Sequence, residues 1–194
     1  GDKGGQIVHQ RMEKLADSNT EAAATSINHW VGTNNQVLII ETRRTAVVPL
    51  PKKEWLLLLD VRLEAKGKDV VLGKTPFGPI GVRMAKTIGV NDGGGVIRNS
   101  AGGVNEKEVF WKPAKWVDYS GPITSKAEEG ITLMDHPLNP GHPAAFHVRN
   151  DGWMGASLTF SNALTIPVGQ PLHLRYGLYV HGGVPSLKKL DERW

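Results

Sequence analysis

The sequence predicts an all-β protein, an antiparallel β-sandwich, on the basis of three observations. Apolar residues alternate with other residues along segments such as Trp55–Glu64 and Pro171–Gly183. Turn signals are frequent, with 23 glycines and 12 prolines in the chain. Helical patterns are scarce, because Glu21–Ala24 is too short for a helix and only Leu187–Arg193 suggests a closing turn or two.

Each predicted strand carries apolar residues at alternate positions, as expected when one face of a sheet is buried. In the fourth strand Leu57, Leu59 and Val61 would face the core, and the opposite face becomes polar from Asp60 onward. In the last strand Leu172 and its alternate neighbours would do the same. The other predicted strands are Gln6–Lys14, Thr25–Val31, Gln36–Val48, Ile80–Ile88 and Ile131–His136.

Length and composition narrow the class of protein. The 194 residues are enough for one well-cored domain, which we expect to span 1–194. The longest apolar run, in EWLLLLDV, is too short to cross a bilayer. Without cysteine the chain has no disulfide, cysteine nucleophile or thiolate metal site. The net charge of +4 is scattered, which argues against nucleic-acid binding.

Several weaker signals favour structural roles. The glycine run Asn91–Gly95 lacks the lysine and helix of a phosphate-binding loop, so a hairpin or loop is expected. His9 and His29 lie in strand patterns and are expected to be structural. His173 and His181 would lie roughly 26 Å apart on one strand, too far to share a ligand. We expect those two histidines at the surface or rim.

The segment FWKPAKWVDYSG contains Trp111, Trp116 and Asp118. A tryptophan beside a polar loop can stack on the C–H face of a sugar, although a buried indole whose N–H has a partner is the more frequent case. We therefore retain Trp116 and Asp118 as candidate ligand-binding residues, with a core role as the alternative.

The stretch ITLMDHPLNPGHPAAFHVR (131–149) is the strongest candidate site. Three prolines spaced three residues apart favour polyproline II geometry, in which His136 and His142 would lie roughly 19 Å apart and could not bind one metal ion. Alternatively, Asn139–His142 (NPGH) suits a type II β-turn, with proline second and glycine third. This turn would gather Asp135 or His136, His142, His147 and Arg149 around one opening.

These residue types match the chemistry of an acid–base or metal site. Histidine can transfer protons near neutral pH or bind metal, arginine can bind paired oxygens, and aspartate can orient a histidine. The alternative is a rigid loop whose polar groups satisfy one another. The catalytic candidates are Asp135, His136, His142 and His147. The ligand-binding candidates are Arg83, Trp116, Asp118, Asn139 and Arg149.

The segment GITLMDHPLNPGHPAAFHVRNDGWMGA resembles the signature of the PmoA-like bacterial family, whose members carry the label "methane oxygenase". GGQIVHQRM, VLIIETRR, GKTPFGPIGVRMAKTI, WKPAKWVDYSG and PLHLRYGLYVHGG extend the resemblance in the same order. It implies a β-sandwich similar to the galactose-mutarotase supersandwich, in proteins that accompany sugar catabolism. A membrane-embedded copper oxygenase is not expected, because no segment could span a bilayer.

Two departures from the family pattern stand out. The resemblance covers the C-terminal two-thirds of the family, so an upstream part with a histidine-rich HPHHRG-like motif is expected to be missing. Gly141 stands where the family often has arginine, and Phe146 where it often has tryptophan. Both differences would weaken an anionic or sugar-stacking contact.

We therefore expect a carbohydrate-active protein, a hydrolase, lyase or epimerase acting on a sugar or glycoside. The alternative is a non-catalytic β-sandwich that binds a glycan or a protein. A divalent metal is a candidate cofactor, and a small molecule or oligosaccharide is the expected ligand. Neither nucleic acid nor a membrane is expected as a partner. A periplasmic or secreted location is expected, with the cytoplasm left open by the lack of cysteine.

Overall fold

The computed structural model describes residues 4–194, so residues 1–3 of the expected domain lie outside it. The described chain is mostly β-structure, as predicted. Its strands are β1 (Gln6–Asp17), β2 (Ala22–Val31), β3 (Val37–Pro49), β4 (Trp55–Ala65), β5 (Val70–Leu72), β6 (Pro79–Arg83), β7 (Val96–Asn99), β8 (Trp116–Thr124), β9 (Ala127–Asp135), β10 (Ala145–Arg149), β11 (Trp153–Ser157), β12 (Leu164–Ile166) and β13 (Leu172–Gly182). Its helices are α1 (Val90–Gly93), α2 (Asn105–Val109) and α3 (Leu187–Arg193), and 3-10 turns lie at Pro51–Lys53 and Lys86–Ile88.

One large sheet dominates the architecture. Its eight antiparallel strands follow the order β1-β2-β3-β4-β13-β9-β8-β7. A three-stranded sheet, β10-β11-β6, and a two-stranded sheet, β12-β5, complete the strand pairing of the described residues. The result is the sandwich-like all-β fold that the alternating sequence pattern predicts.

The main core lies between the large sheet and the three-stranded sheet. Leu63 and Leu133 of the large sheet belong to the same buried cluster as Phe146 and Met154 of β10 and β11. This face of the large sheet is called the inner face below. The alternating apolar residues of β4 and β13 point towards it, as the sequence pattern predicts.

The opposite, outer face of the large sheet is covered locally by α3. Leu190 of α3 is fully buried and packs in a second cluster with Trp116, Met134 and Tyr179. The Trp116 indole N–H donates a hydrogen bond of 2.9 Å to Asp191 of the same helix. Trp116 is therefore a core residue.

Two local predictions differ from the structure. The expected strand Ile80–Ile88 ends at Arg83, because β6 pairs with only the five residues of β11. The glycine run begins with the helical turn α1 and continues through Gly94, which has a left-handed φ of 76°. Within residues 4–194, no helix has the length and apolar character needed to cross a membrane.

Candidate functional site

The predicted β-turn at residues 139–142 is present. Pro140 occupies its second position, and Gly141 has a φ of 73°, which a type II turn requires at its third position. The N–H of His142 closes the turn on the carbonyl of Asn139 at 3.2 Å. The chain therefore reverses between the two histidines of the segment, and the extended polyproline alternative does not apply.

Asp135 is the centre of the hydrogen bonds that fix this loop. Its carboxylate accepts from the Nδ1 of His142 at 2.7 Å, from the Nδ2 of Asn139 at 2.8 Å and from the N–H of Ala144 at 2.9 Å. Asp135 is only 1% exposed. Because a carboxylate can only accept, the proton of this bond is carried by Nδ1 of His142.

Asn139 and Trp194 attach the loop to neighbouring elements. The side chain of Asn139 donates to the carbonyl of Arg175 at 2.7 Å and accepts from its N–H at 2.8 Å. The Asn139 side chain thus makes the two hydrogen bonds to the Arg175 backbone that a neighbouring strand would otherwise make. The indole N–H of Trp194 donates to the Asp135 carbonyl at 2.8 Å, and the ring stacks on His142. The loop is therefore attached to β13 on one side and to the C-terminal Trp194 on the other.

A groove of about 230 Å³ lies beside this loop on the outer face of the large sheet. Strands β3, β4 and β13 supply its floor, and Leu138 and Asn139 supply one wall. Three arginines and two histidines face a single carboxylate. These charged and imidazole residues of the lining are Arg44, Asp60, Arg62, His136, His173 and Arg175.

The register of the sheet arranges these residues in two rows. Arg44 lies opposite Asp60, which lies opposite Arg175 on the next strand. In the second row Arg62 lies opposite His173. Directly opposite residues have Cβ atoms about 4.5–5.5 Å apart, so each row forms a continuous strip of hydrogen-bonding groups.

His136 joins the groove from the end of β9. Burial lowers the pKa of His136 below its ordinary value of 6.5, and the neighbouring Arg175 charge lowers this pKa further. His136 is therefore uncharged at neutral pH. Its Nδ1 accepts a hydrogen bond of 3.2 Å from the N–H of Leu138, so the ring proton lies on Nε2. His136 is thus prepared to donate a hydrogen bond to a ligand.

The expectation that the turn also gathers His147 and Arg149 is wrong. Strand parity puts both on one face of β10, but this face is surrounded by Phe77 and Phe110. Burial lowers the pKa of His147, with Arg149 lowering it further. Arg149 forms an ion pair of 3.1 Å with Glu106. Neither residue lines the groove.

Three predicted ligand-binding residues also lie elsewhere. Arg83, on β6, forms an ion pair of 3.0 Å with Asp151 and packs over the Trp153 ring. Trp116 and Asp118 are fully buried, so neither reaches a ligand at the surface. Of the predicted ligand-binding residues, Asn139 is the one that the structure places in the groove.

Asp118 belongs to a buried polar network. It accepts hydrogen bonds from His181 at 2.8 Å, from Arg98 and Ser120 at 2.6 Å each and from Thr132 at 2.9 Å. Burial acts to raise the pKa of Asp118, but the hydrogen bonds from His181, Ser120 and Arg98 outweigh burial and hold the pKa below its ordinary value. The expectation that His181 lies at the surface is therefore wrong, whereas His173 is exposed as predicted.

Metal ligation was a further expectation for the histidine-rich loop. Across residues 4–194, no group of three or more histidine, aspartate or glutamate side chains is arranged to hold a metal ion. Asp135 and His142 are close together, but both atoms at the contact are used in their mutual hydrogen bond.

Five charged or imidazole residues of the groove were not predicted as site residues from the sequence, and they are Arg44, Asp60, Arg62, His173 and Arg175. Their signal was visible, since they occupy the polar positions of alternating strands. The sequence does not show which strands are neighbours. Asp60 and Arg175 contact each other in the sheet but are 115 residues apart in the chain.

Comparisons with known proteins place the chain in a family without assigning an activity. A search of curated proteins finds no match. A family model, described as a family of unknown function (DUF6807), matches residues 1–194. The chain therefore belongs to the DUF6807 family.

Proposed function

We propose that this chain is a carbohydrate-active enzyme that binds a sugar in the groove beside the loop 136–143. The observation that carries the proposal is the arrangement of Arg62, His173 and Arg175 in two rows next to His136. Guanidinium and imidazole groups provide many directed hydrogen bonds, which suit a hydroxyl-rich ligand. The pocket volume of about 230 Å³ suits a single sugar residue, since it is below the range of roughly 300–1,000 Å³ for drug-sized ligands.

Among the three reaction classes considered, lyase and epimerase chemistry fits the groove better than hydrolysis. Most glycoside hydrolases use two carboxyl groups that flank the scissile bond, about 5–9.5 Å apart. Within the described lining, Asp60 is the one carboxylate, and it already contacts Arg44 and Arg175. Proton removal by an imidazole needs no second carboxylate.

The histidines of the proposed site have different roles. His173 is exposed on the groove floor and is the proposed base. His136 is the proposed donor, because its proton lies on Nε2. Neither Asp135 nor His142 lines the groove. We therefore assign this pair a positioning role, in which it holds the loop that carries His136 and Asn139.

The sequence resemblance supports the same proposal. The segment that resembles the PmoA-like signature includes the loop 136–143, and the resemblance implies a role in sugar catabolism. An oligosaccharide ligand and a periplasmic or secreted location are parts of the proposal. Both follow from the expected role in sugar catabolism.

The test is turnover of a panel of oligosaccharides followed by proton NMR. We expect turnover by the wild-type chain and its loss in His136→Ala and His173→Ala. His9→Ala is the matched control, because His9 is an exposed histidine on β1, two strands from β3, and does not line the groove. Full turnover by both groove variants would refute the proposed site.

A non-catalytic glycan-binding role is the second candidate, and one observation favours it. Trp111 is 41% exposed and packs beside Phe160, and both residues line a surface pocket. An exposed indole of this kind can stack on a sugar ring. This role predicts saturable glycan binding without turnover, which Trp111→Ala weakens and His173→Ala leaves intact.

A further inference from the structure

We infer that the sugar bound in the groove carries a carboxylate, as a uronic acid does; this inference rests on the proposed function. It starts from Asp60, whose carboxylate contacts Arg175 at Nε and lies 3.9 Å from Arg44. Asp60 is thus shared by two arginines, one on each of the strands β3 and β13 that flank β4. Arg44 has a second partner in Glu21, whereas Asp60 is the one carboxylate that pairs with Arg175 within residues 4–194.

Arg175 is the residue best placed to bind a carboxylate. Its Nε contacts Asp60, which fixes the plane of the guanidinium group. Its two terminal nitrogens make no hydrogen bond within residues 4–194, and the side chain is 56% exposed. The two terminal N–H groups of an arginine match the two oxygens of a carboxylate, so this fork is available for a bidentate contact.

The remaining charges of the groove favour the same ligand. Arg44 and Arg62 also pair with Glu21 and Glu64, but those glutamates do not line the groove. Both pairs are half-buried, with side-chain exposures of 30–38%, so an anion in the groove would meet two guanidinium groups that keep these glutamate partners. The groove presents three arginines to a ligand and one carboxylate, Asp60.

His173 and His136 lie close enough to Arg175 to act on a sugar whose carboxylate is bound there. His173 lies two residues before Arg175 on the same strand face, about 6.6 Å away along the strand. His136 is close enough for the Arg175 charge to act on its ring. In a uronate bound by Arg175, the carbon next to the carboxylate would lie between the guanidinium group and His173.

The reaction that fits is proton removal from that carbon. His173 takes the proton, the C–H electron pair enters the carboxylate group as an enediolate, and the arginines neutralise the added negative charge. In an elimination, this pair then forms a carbon–carbon double bond while the C–O bond to the leaving sugar breaks and its oxygen takes up a proton. In an epimerisation, the same carbon instead regains a proton on its opposite face.

The experiment compares acidic and neutral sugars with the whole chain. Oligogalacturonate and oligoglucuronate are titrated by calorimetry at low ionic strength, alongside the neutral oligosaccharides with C6 reduced to the alcohol and a sulfated neutral oligosaccharide. Turnover is followed by the ultraviolet absorbance of unsaturated uronate and by deuterium uptake at C5. Arg175→Gln is the test variant, and Arg11→Gln is its control, because Arg11 is an exposed arginine of β1.

We expect binding of at least one uronate, with affinity lowered roughly 10- to 100-fold in Arg175→Gln and unchanged in Arg11→Gln. Equal affinity for the neutral and acidic sugars would overturn the inference while leaving the proposed function standing. Binding of the sulfated sugar alone would show an anion site that is not specific for carboxylate, which also overturns it. Absence of binding and turnover for all the sugars would refute the proposed function as well.

Discussion

His142 and Asp135 are joined by a hydrogen bond of 2.7 Å between imidazole Nδ1 and carboxylate Oδ2, across a turn that reverses the chain. Asp135 also accepts from Asn139 and from the backbone of Ala144. We expect Asp135→Ala to lower the free energy of unfolding by about 3 kcal/mol, because it leaves several buried donors without a partner. Urea unfolding measures this loss. A change below about 0.5 kcal/mol would show that the loop does not depend on Asp135.

Replacement of His142 distinguishes a catalytic residue from a positioning residue. On the sequence alone, His142→Ala is expected to abolish turnover while the melting temperature stays within a few degrees. The structure adds that His142 lies outside the groove lining, so we expect it to act through the loop. Accordingly, His142→Asn should restore turnover, because the amide N–H can still bind Asp135. Failure of asparagine to restore kcat, with KM and folding unchanged, would indicate that the imidazole itself reacts.

Gly141 gives a test of the turn itself. Its φ of 73° is left-handed, and no atom lies within 4 Å of the position that an added Cβ would occupy, so the expected cost of Gly141→Ala is conformational. We expect a loss of about 1–2 kcal/mol. Gly73→Ala is the matched control, because Gly73 has equally open surroundings and no left-handed φ. Equal stability of the two variants would contradict the strain argument.

The predicted strands β4 and β13 each have one face that packs on the main core and one face that is largely polar. The alternation in β4 and β13 is visible because their outer faces are polar over much of their length. Strand β8 was missed because α3 covers the outer face at Trp116, and six consecutive residues from Trp116 are buried. A strand buried on both faces has no alternation to detect.

Only those parts of the candidate site that depend on residues adjacent in the chain could be predicted from the sequence. The turn at Gly141 follows from proline and glycine at adjacent positions. The groove depends on the pairing of β4 with β13, which the local pattern cannot provide. For His147 the predicted strand parity was right, but the sequence could not show that the rings of Phe77 and Phe110 surround its imidazole.

The lowered pKa of Asp118 predicts that the protein loses stability in acid. Its pKa is lowered in the folded state from an ordinary value of 3.8, so the folded form binds protons less readily than the unfolded chain. This contribution is fully present above pH 3.8 and is lost as the pH falls through the lower folded pKa. Carboxyl carbon NMR of the folded protein should show Asp118 titrating below 3.8. Titration at or above that value would contradict the role of the network.

Leu190 provides the test of how α3 is held on the sheet. Its side chain is fully buried against Trp116, Met134 and Tyr179, so Leu190→Ala leaves a cavity beneath the helix. We expect a loss of about 2–4 kcal/mol in urea unfolding. Lys188→Ala, on the exposed side of the same helix, should change stability by less than about 0.5 kcal/mol, because it removes only an exposed pair with Glu192. A small effect at Leu190 would mean that α3 is held chiefly by its polar contacts, such as the bond of Lys189 to Glu54 at 2.8 Å.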